Sequence, residues 1–238
     1  MKPTYSILSD SVAGITPAVP GGMLMEYHKG RTYILPGCHS DYHKQNGLFE
    51  SGLMLWCTQF ANANGVFVDA GAHTGTYSVY MADRFAEVHA FEPQPMPYYA
   101  LCGSVALSGL TNVVCHRLAL SDISCRSLAK ISVTSADGGS STLEDTQEPV
   151  LESYMVQTKA LDTMEVHDVA FMKIDTEGHE RKVLSGSLNT LRSSGWPPVV
   201  FECNNDAQDI YEFLETLTPY RVHPIRGTNN MFLASNGN

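Results

Sequence analysis

The sequence has no cluster of lysine or arginine. Its 238 residues include 15 Lys or Arg against 25 Asp or Glu, a formal net charge of −10. Proteins that bind a nucleic-acid backbone carry a basic patch or stripe. Docking on an anionic membrane needs one too. Neither nucleic acid nor a membrane is therefore expected as a partner. No apolar run approaches the roughly 18–20 residues that span a bilayer. The opening Met1-Lys2-Pro3-Thr4-Tyr5-Ser6 lacks the basic-then-apolar pattern of a secretion signal. The six cysteines (Cys38, Cys57, Cys102, Cys115, Cys125 and Cys203) form no C-x-x-C pair, and several lie in apolar segments. They read as buried thiols in a reducing, cytoplasmic compartment, not as disulfides or a zinc site. No internal repeat, linker or low-complexity tract divides the chain.

What is present is the composition of one globular domain, 43% hydrophobic and 17% charged. Residues 1–48 read as an extension, punctuated at Pro17, Pro20, Gly21, Gly22, Pro36 and Gly37, with short strands at Met23–Tyr27 and Arg31–Leu35. The extension is expected to pack near the substrate site. Leu53, Trp56, Cys57 and Phe60 repeat at helical spacing and predict a helix from Phe49 to about Ala63. Strand and helix signals then alternate. Strands are expected at Gly65–Asp69, Val88–Phe91 and Asn112–His116, with helices at Tyr77–Ala82 and Met96–Leu107 between them. Such alternation signals an α/β fold: a mostly parallel, Rossmann-like sheet with helices on both faces. Residues 123–168 interrupt it with a hairpin or lid whose strands are Ile131–Val133 and Met155–Thr158, around the loop Asp137–Thr142. The alternation resumes with strands at Val169–Asp175 and Val199–Glu202 and helices near Glu180–Leu184 and Ala207–Leu217. It closes on an antiparallel pair, Tyr220–Ile225 with Asn230–Ala234. The core thus spans 49–238.

The strongest local signal is Asp69-Ala70-Gly71-Ala72-His73-Thr74-Gly75-Thr76-Tyr77, a glycine turn between a strand and a helix. Glycines there allow a sharp turn and the close approach of a ligand. The dinucleotide fingerprint G-x-G-x-x-G fails, because its second and third glycines would fall on His73 and Thr76. The turn fits the D-x-G-x-x-x-G form of methyltransferases, which holds the methionine end of S-adenosylmethionine. Glu92 ends the second strand, 23 residues after Asp69, where an acid accepts hydrogen bonds from ribose hydroxyls. Asp122 follows the third strand and is a candidate for the adenine edge or a plain turn residue.

Val68–Gly75, Phe91-Glu92-Pro93, Ala119-Leu120-Ser121-Asp122, Lys173-Ile174-Asp175-Thr176-Glu177-Gly178-His179-Glu180 and Val200-Phe201-Glu202 occur in that order. This ordered set resembles the FkbM-type methyltransferases over roughly residues 45–235, with K-x-D-x-E-G-x-E as its most specific element. His73 departs from the pattern, since an amide side chain is more usual there. The resemblance implies a class I methyltransferase sheet with a reversed last strand. It also implies S-adenosylmethionine as cofactor and methyl transfer to a hydroxyl of a sugar, glycan or glycosylated metabolite.

Ligands of open α/β sheets sit beyond the carboxyl ends of the strands, which groups Asp69, Glu92, Asp175 and Glu202. Cofactor contacts are expected from Asp69, Gly71, His73, Gly75, Glu92 and Asp122, and reaction-centre roles from Asp175, Lys173 and Glu177. Lys173 precedes Asp175 by two residues and shares its side of the strand, unless it is a snorkelling surface lysine. Glu180, at a helix start, has an equally good structural reading. Asp175, Glu202 and Asn204 are hard oxygen donors suited to substrate or to Mg²⁺, with no metal firmly assigned. His39 and His43 lack the H-E-x-x-H frame and read as a wall of the substrate pocket; His179 and His223 are further candidate bases. N-methylation of a peptide or small molecule, and a cofactor-binding scaffold without catalysis, are the competing readings.

Overall fold

A computed structural model describes residues 4–7, 23–27, 30–123, 127–204 and 207–237. Cys125 and the punctuation at Pro17, Pro20, Gly21 and Gly22 lie outside them. Strands β1 (Thr4–Ile7), β2 (Met23–Tyr27) and β3 (Arg31–Leu35) form a small antiparallel sheet. A 3-10 turn at Gly37–His39 leads into helices α1 (Ser40–Asn46) and α2 (Ser51–Cys57), then a second 3-10 turn at Thr58–Phe60. The alternating part begins with β4 (Asn62–Ala70), α3 (Thr76–Met81), β5 (Phe85–Phe91), α4 (Pro95–Leu107) and β6 (Val113–His116). It is interrupted by β7 (Ala119–Leu120), β8 (Ser127–Val133), β9 (Ser141–Thr142) and β10 (Glu152–Lys159). It resumes with β11 (Val169–Ile174), α5 (Glu180–Ser185), α6 (Leu188–Ser193), β12 (Val199–Glu202), α7 (Ala207–Leu217), β13 (Tyr220–Pro224) and β14 (Met231–Asn236).

The main sheet has the order β13-β14-β12-β11-β4-β5-β6. Its pairs are parallel except those of β14, which runs antiparallel to both neighbours. This is the Rossmann-like class I methyltransferase sheet with its reversed last strand. Side chains alternate faces along each strand, so each strand feeds two cores. Phe67 and Phe171 stack at 5.1 Å on one face, with Val79, Met81 and Leu101 of α3 and α4. Val68, Met172 and Phe201 point to the other face, against Leu184, Leu191 and Leu214 of α5, α6 and α7.

Register fixes the site. Asp69 pairs with Ala90 and Lys173, while Ile174 pairs with Ala70 and Phe201. Asp69, Glu92, Asp175 and Glu202 therefore reach the same edge of the sheet, as their strand-end positions predict. Gly71 has φ +80°, and a Cβ there would lie 1.7 Å from the Asp175 carbonyl oxygen. The first glycine of the turn thus makes room for the end of β11 rather than for a ligand. Its backbone N–H donates to the Phe91 carbonyl at 3.0 Å, tying the turn to β5 as well.

The helix expected over Phe49–Ala63 is shorter. It stops at Cys57, and the chain turns at Thr58–Phe60 so that Phe60 stacks on Phe171 at 5.1 Å and β4 can start at Asn62. Tertiary packing overrides the helical periodicity there. Helix α1 was not expected from a segment holding Gly37 and Ser40, nor was α6. The interruption at 123–168 supplies β8, β9 and β10, which join β7 just before it in a four-stranded sheet, β7-β10-β8-β9, where β8 and β10 form the expected antiparallel pair. Strand β3 belongs to the extension, yet its free edge is paired: the Ile34 and Thr32 N–H groups donate to the Ser104 and Ser108 hydroxyls, both at 2.9 Å. Those contacts fasten residues 31–35 to α4 and its end.

Candidate active site

A cavity of about 310 Å³ opens at the carboxyl edge of the sheet, within the ordinary range of roughly 300–1,000 Å³ for small-molecule sites. Four pieces of chain line it: the turn after β4 with Glu92, Pro93 and Gln94; the ends of β11 and β12; residues 35–50; and Ala119 and Leu120 with the Ile131–Leu143 stretch.

Asp69 is 1% exposed. Its Oδ2 accepts from the Ser78 hydroxyl at 2.5 Å, and its Oδ1 is buried without a partner. Burial raises its pKa, opposed by Lys173 and Ser78. Glu92 Oε2 accepts from the His73 N–H at 2.9 Å and Oε1 from the Gln94 N–H at 2.8 Å. Each oxygen keeps further acceptor capacity. Burial pushes Glu92 up to about 7, against the two backbone donors that favour its charge. An orphaned carboxylate oxygen and a two-pronged acceptor, both in the cavity wall, fit a ligand with an ammonium or sulfonium at one end and a ribose diol beyond it. S-adenosylmethionine has that donor pattern.

His73 takes a role its position did not suggest. It sits at φ +48°, a conformation His adopts more readily than most residues. Its Nε2 donates to the Asp137 carbonyl at 2.8 Å, and burial lowers its pKa. The ring pins the loop after β8, as does Gln94, whose Nε2 donates to the Gly138 carbonyl at 2.7 Å. Asp137 also binds His39 Nε2 through its carboxylate, at 2.7 Å. Although burial opposes it, the Ser135 hydroxyl, the Gly139 N–H and His39 bring the Asp137 pKa to about 2. Farther along, Glu144 Oε1 meets His179 Nδ1 at 2.5 Å and Lys182 Nζ at 2.8 Å. The Asp137–Thr142 loop therefore roofs both the cofactor turn and the side facing residues 35–50.

Lys173 is not a surface lysine: it is 2% exposed. Its Nζ lies 2.8 Å from Asp175 Oδ2 and 4.5 Å from the centre of the Tyr77 ring, a cation–π contact. Burial alone would depress its pKa, but Asp175, Asp69 and Glu50 hold it above the usual value. Asp175 is correspondingly held below the usual carboxylate range. Burial pushes it up, and Lys173 with a hydrogen bond from Glu202 outweighs that. Carboxylate atoms of Asp175, Glu177 and Glu202 all lie within 4.8 Å of one another. Burial, then Asp175, raise Glu202 to about 8 and Glu177 to about 7.

Glu202 Oε1 accepts from Asn230 Nδ2 at 2.6 Å, and the same Asn230 amide donates to Asn204 Oδ1 at 2.7 Å. Asn204 is thus placed beside Asn230, and Glu177 takes its place in the carboxylate cluster. Glu180 accepts from the Thr176 N–H and hydroxyl and from the Gly178 N–H at 2.8–3.2 Å, so it locks the turn after β11. Asp122, Asn204 and His223 are exposed and outside the cavity wall, and Gly75 is buried and also outside it. The residues that sequence reasoning missed are Glu50, Phe49, Tyr77, Gln94 and Asp137. Four of the five had no local motif, and Glu50 comes from a segment with no link in sequence to the strand ends.

Glu202 also makes a stability prediction. Its folded-state pKa, about 8, lies above the usual 4.5, so between these pH values the folded chain binds more protons than the unfolded one. Stability then falls as pH rises through that window. Glu202→Gln presents the same donor and acceptor as the protonated acid. The variant should lose less melting temperature than wild type between pH 5 and pH 8; equal slopes would show that Glu202 does not titrate there.

The methyltransferase FkbM domain model matches residues 69–221. Among solved structures, the methyltransferase FkbM of Methylobacillus flagellatus KT superposes with a TM-score of 0.53 at 16% identity, over 79% of this chain and 46% of that one. The chain thus spans just under half the length of that protein. Precorrin-6y C5,15-methyltransferase from Geobacter metallireducens GS-15 gives 0.49 at 12% identity, over 80% of this chain and 92% of that one. TYW2 of M. jannaschii, solved in complex with AdoMet, gives 0.46 at 15% identity, over 90% and 83%. No curated protein sequence matches significantly. The matched segment, more than half of the chain, begins at the acid of the glycine turn and contains every strand-end carboxylate described above. The chain belongs to the FkbM methyltransferase domain family and carries an S-adenosylmethionine-dependent methyltransferase domain of class I.

Proposed function

We propose that the protein transfers the methyl group of S-adenosylmethionine to a hydroxyl of a sugar, glycan or glycosylated small metabolite. The observation that supports this best is the convergence of Asp175, Glu177 and Glu202 beside the end of β11. An alcohol is a weak nucleophile until its proton is removed, and a positioned base is worth about 10²–10⁴-fold. Glu177, with a pKa near 7 and a place in the cavity wall, is matched to that task at neutral pH. Asp175, kept ionised by Lys173, orients the hydroxyl. Asp69 and Glu92 hold the cofactor, which when bound supplies the methyl as a sulfonium. Glu177 would take the proton of that hydroxyl as its oxygen accepts the methyl.

The charge of the wall supports an acceptor without phosphate. Glu50, Asp69, Glu92, Asp137, Asp175, Glu177 and Glu202 line the cavity against a single ammonium, Lys173. This disfavours nucleic acid. Among the described residues no helix is long and apolar enough to cross a membrane. Cys38, Cys57, Cys102 and Cys115 are thiols, which supports a cytoplasmic setting. A second reading seats Mg²⁺ on Asp175, Glu177 and Glu202, although Lys173 already neutralises the first of these.

The test is transfer of labelled methyl from S-adenosylmethionine to a panel of free and glycosylated acceptors, with and without Mg²⁺ or chelator, and NMR of the product. The expected product is an O-methyl ether formed equally well in chelator. Loss of transfer in chelator would favour the metal reading. N-methyl product, or no product despite tight cofactor binding, would contradict hydroxyl methylation.

A further inference from the structure

The cavity wall carries far more acidic side chains than basic ones. Its seven carboxylates face one ammonium, and that ammonium is already paired with Asp175. Asp69 Oδ1 is buried without a partner in a residue 1% exposed. His43 adds a second such atom. It is also 1% exposed and lines the cavity. Its Nδ1 faces the Gly47 carbonyl at 2.9 Å, which can only accept, so Nδ1 carries the proton and Nε2 is a bare acceptor. That Nε2 is buried and unpartnered. A buried polar atom left unpaired costs about 1–3 kcal/mol, so these two, with Thr74 Oγ1 and Glu202 Oε2 also unpartnered in the same wall, point to a polar ligand.

The same stretch supplies an aromatic surface. Phe49 lines the cavity and is 38% exposed. Tyr42 stacks behind it at 4.2 Å, and the His39 and His43 rings meet it edge-on at 5.1 and 4.7 Å. Next to it Glu50 sits at φ +51°, a left-handed conformation that costs an ordinary residue of order 1–3 kcal/mol and that clusters at functional sites. From there its carboxylate accepts from the Tyr77 hydroxyl at 3.0 Å. An aromatic face beside carboxylates attracts a cation. One cationic end of the cofactor does not balance this wall.

Resting on the hydroxyl-methylation reading, we propose that the acceptor is an amino-substituted sugar. Its ring lies on Phe49 and its ammonium faces the carboxylates of Glu50, Glu177 and Glu202. Residues 36–50 select it, and they lie outside the 69–221 segment shared with the family. Its ammonium supplies the positive charge that the carboxylates of the wall outnumber.

The experiment is calorimetry on the full chain saturated with S-adenosylhomocysteine. The probes are methyl glucosaminide and a tricationic aminoglycoside, with methyl glucoside and glucose 6-phosphate as neutral and anionic counterparts. An ammonium-bearing probe should bind about tenfold or more tightly than methyl glucoside, as a partly screened charge contact implies. Glucose 6-phosphate should not bind. Glu50→Gln keeps the Tyr77 hydrogen bond and removes the charge; it should bring the cationic probe toward the neutral one and leave S-adenosylhomocysteine binding unchanged. Equal or tighter binding of methyl glucoside, binding of the phosphate, or binding of no pyranoside by a chain that holds S-adenosylhomocysteine would overturn the proposal. Failure to bind S-adenosylhomocysteine would instead overturn the methyltransfer reading beneath it.

Discussion

Asp175→Asn should slow methyl transfer by about 10²-fold, the cost of a reacting group displaced by about 1 Å. Affinity for S-adenosylhomocysteine should stay within a few fold. The asymmetry follows from position. Asp175 lies one residue beyond β11, is joined to Lys173 and lies beside Glu177 and Glu202, whereas the groups suited to the cofactor are Asp69 and Glu92. Asparagine keeps the shape and loses the charge, so the acceptor hydroxyl loses its orienting carboxylate. The change should appear in kcat more than in KM for S-adenosylmethionine. Transfer within threefold of wild type would remove Asp175 from the reaction centre.

Lys173→Met should lower the melting temperature by roughly 6–15 °C. Removing one partner of a buried ion pair costs about 3–5 kcal/mol, because the other charge is left behind. At this chain length each kcal/mol shifts melting by about 2–4 °C. Asp175 keeps 27% of its side chain exposed, so water recovers part of the cost and the lower half of the energy range applies. Asp69, wholly buried, gains nothing from that water and loses its nearby cation. Lys173→Met with Asp175→Asn should recover part of the loss, since the unpaired charge is removed. If the single variant melts like wild type, Lys173 is a solvated lysine after all.

The strand ends were legible in sequence because the pattern there is local and constrained twice. A parallel strand buried on both faces is a continuous apolar run, as at Val66-Phe67-Val68, and the acid that ends it marks the ligand edge. Register then had little freedom, so Asp69, Glu92, Asp175 and Glu202 emerged on one edge as expected. The closing pair β13 and β14 was legible for the same reason, through its turn at Gly227. The extension was different. Helix α1 carries no strong periodic face, and what defines it is contact with a distant part of the chain: His39 with Asp137, and the packing of Phe49 among Tyr42, His39 and His43. Glu50 reaches Tyr77 only because α2 packs on α3. No spacing rule connects positions 27 residues apart through such a contact. The role of His73 was hidden likewise, since its partner is a backbone carbonyl 64 residues away.

The most direct measurement is calorimetric titration of the chain with S-adenosylhomocysteine and, separately, with NADH, for wild type and for Glu92→Ala. Wild type should bind S-adenosylhomocysteine and not NADH. Glu92→Ala should weaken that binding by about 10²-fold or more, the loss of two charge-assisted hydrogen bonds at about 1.5–3 kcal/mol each. Binding of NADH without binding of S-adenosylhomocysteine, or wild-type affinity in Glu92→Ala, would contradict the assignment of the cavity to this cofactor.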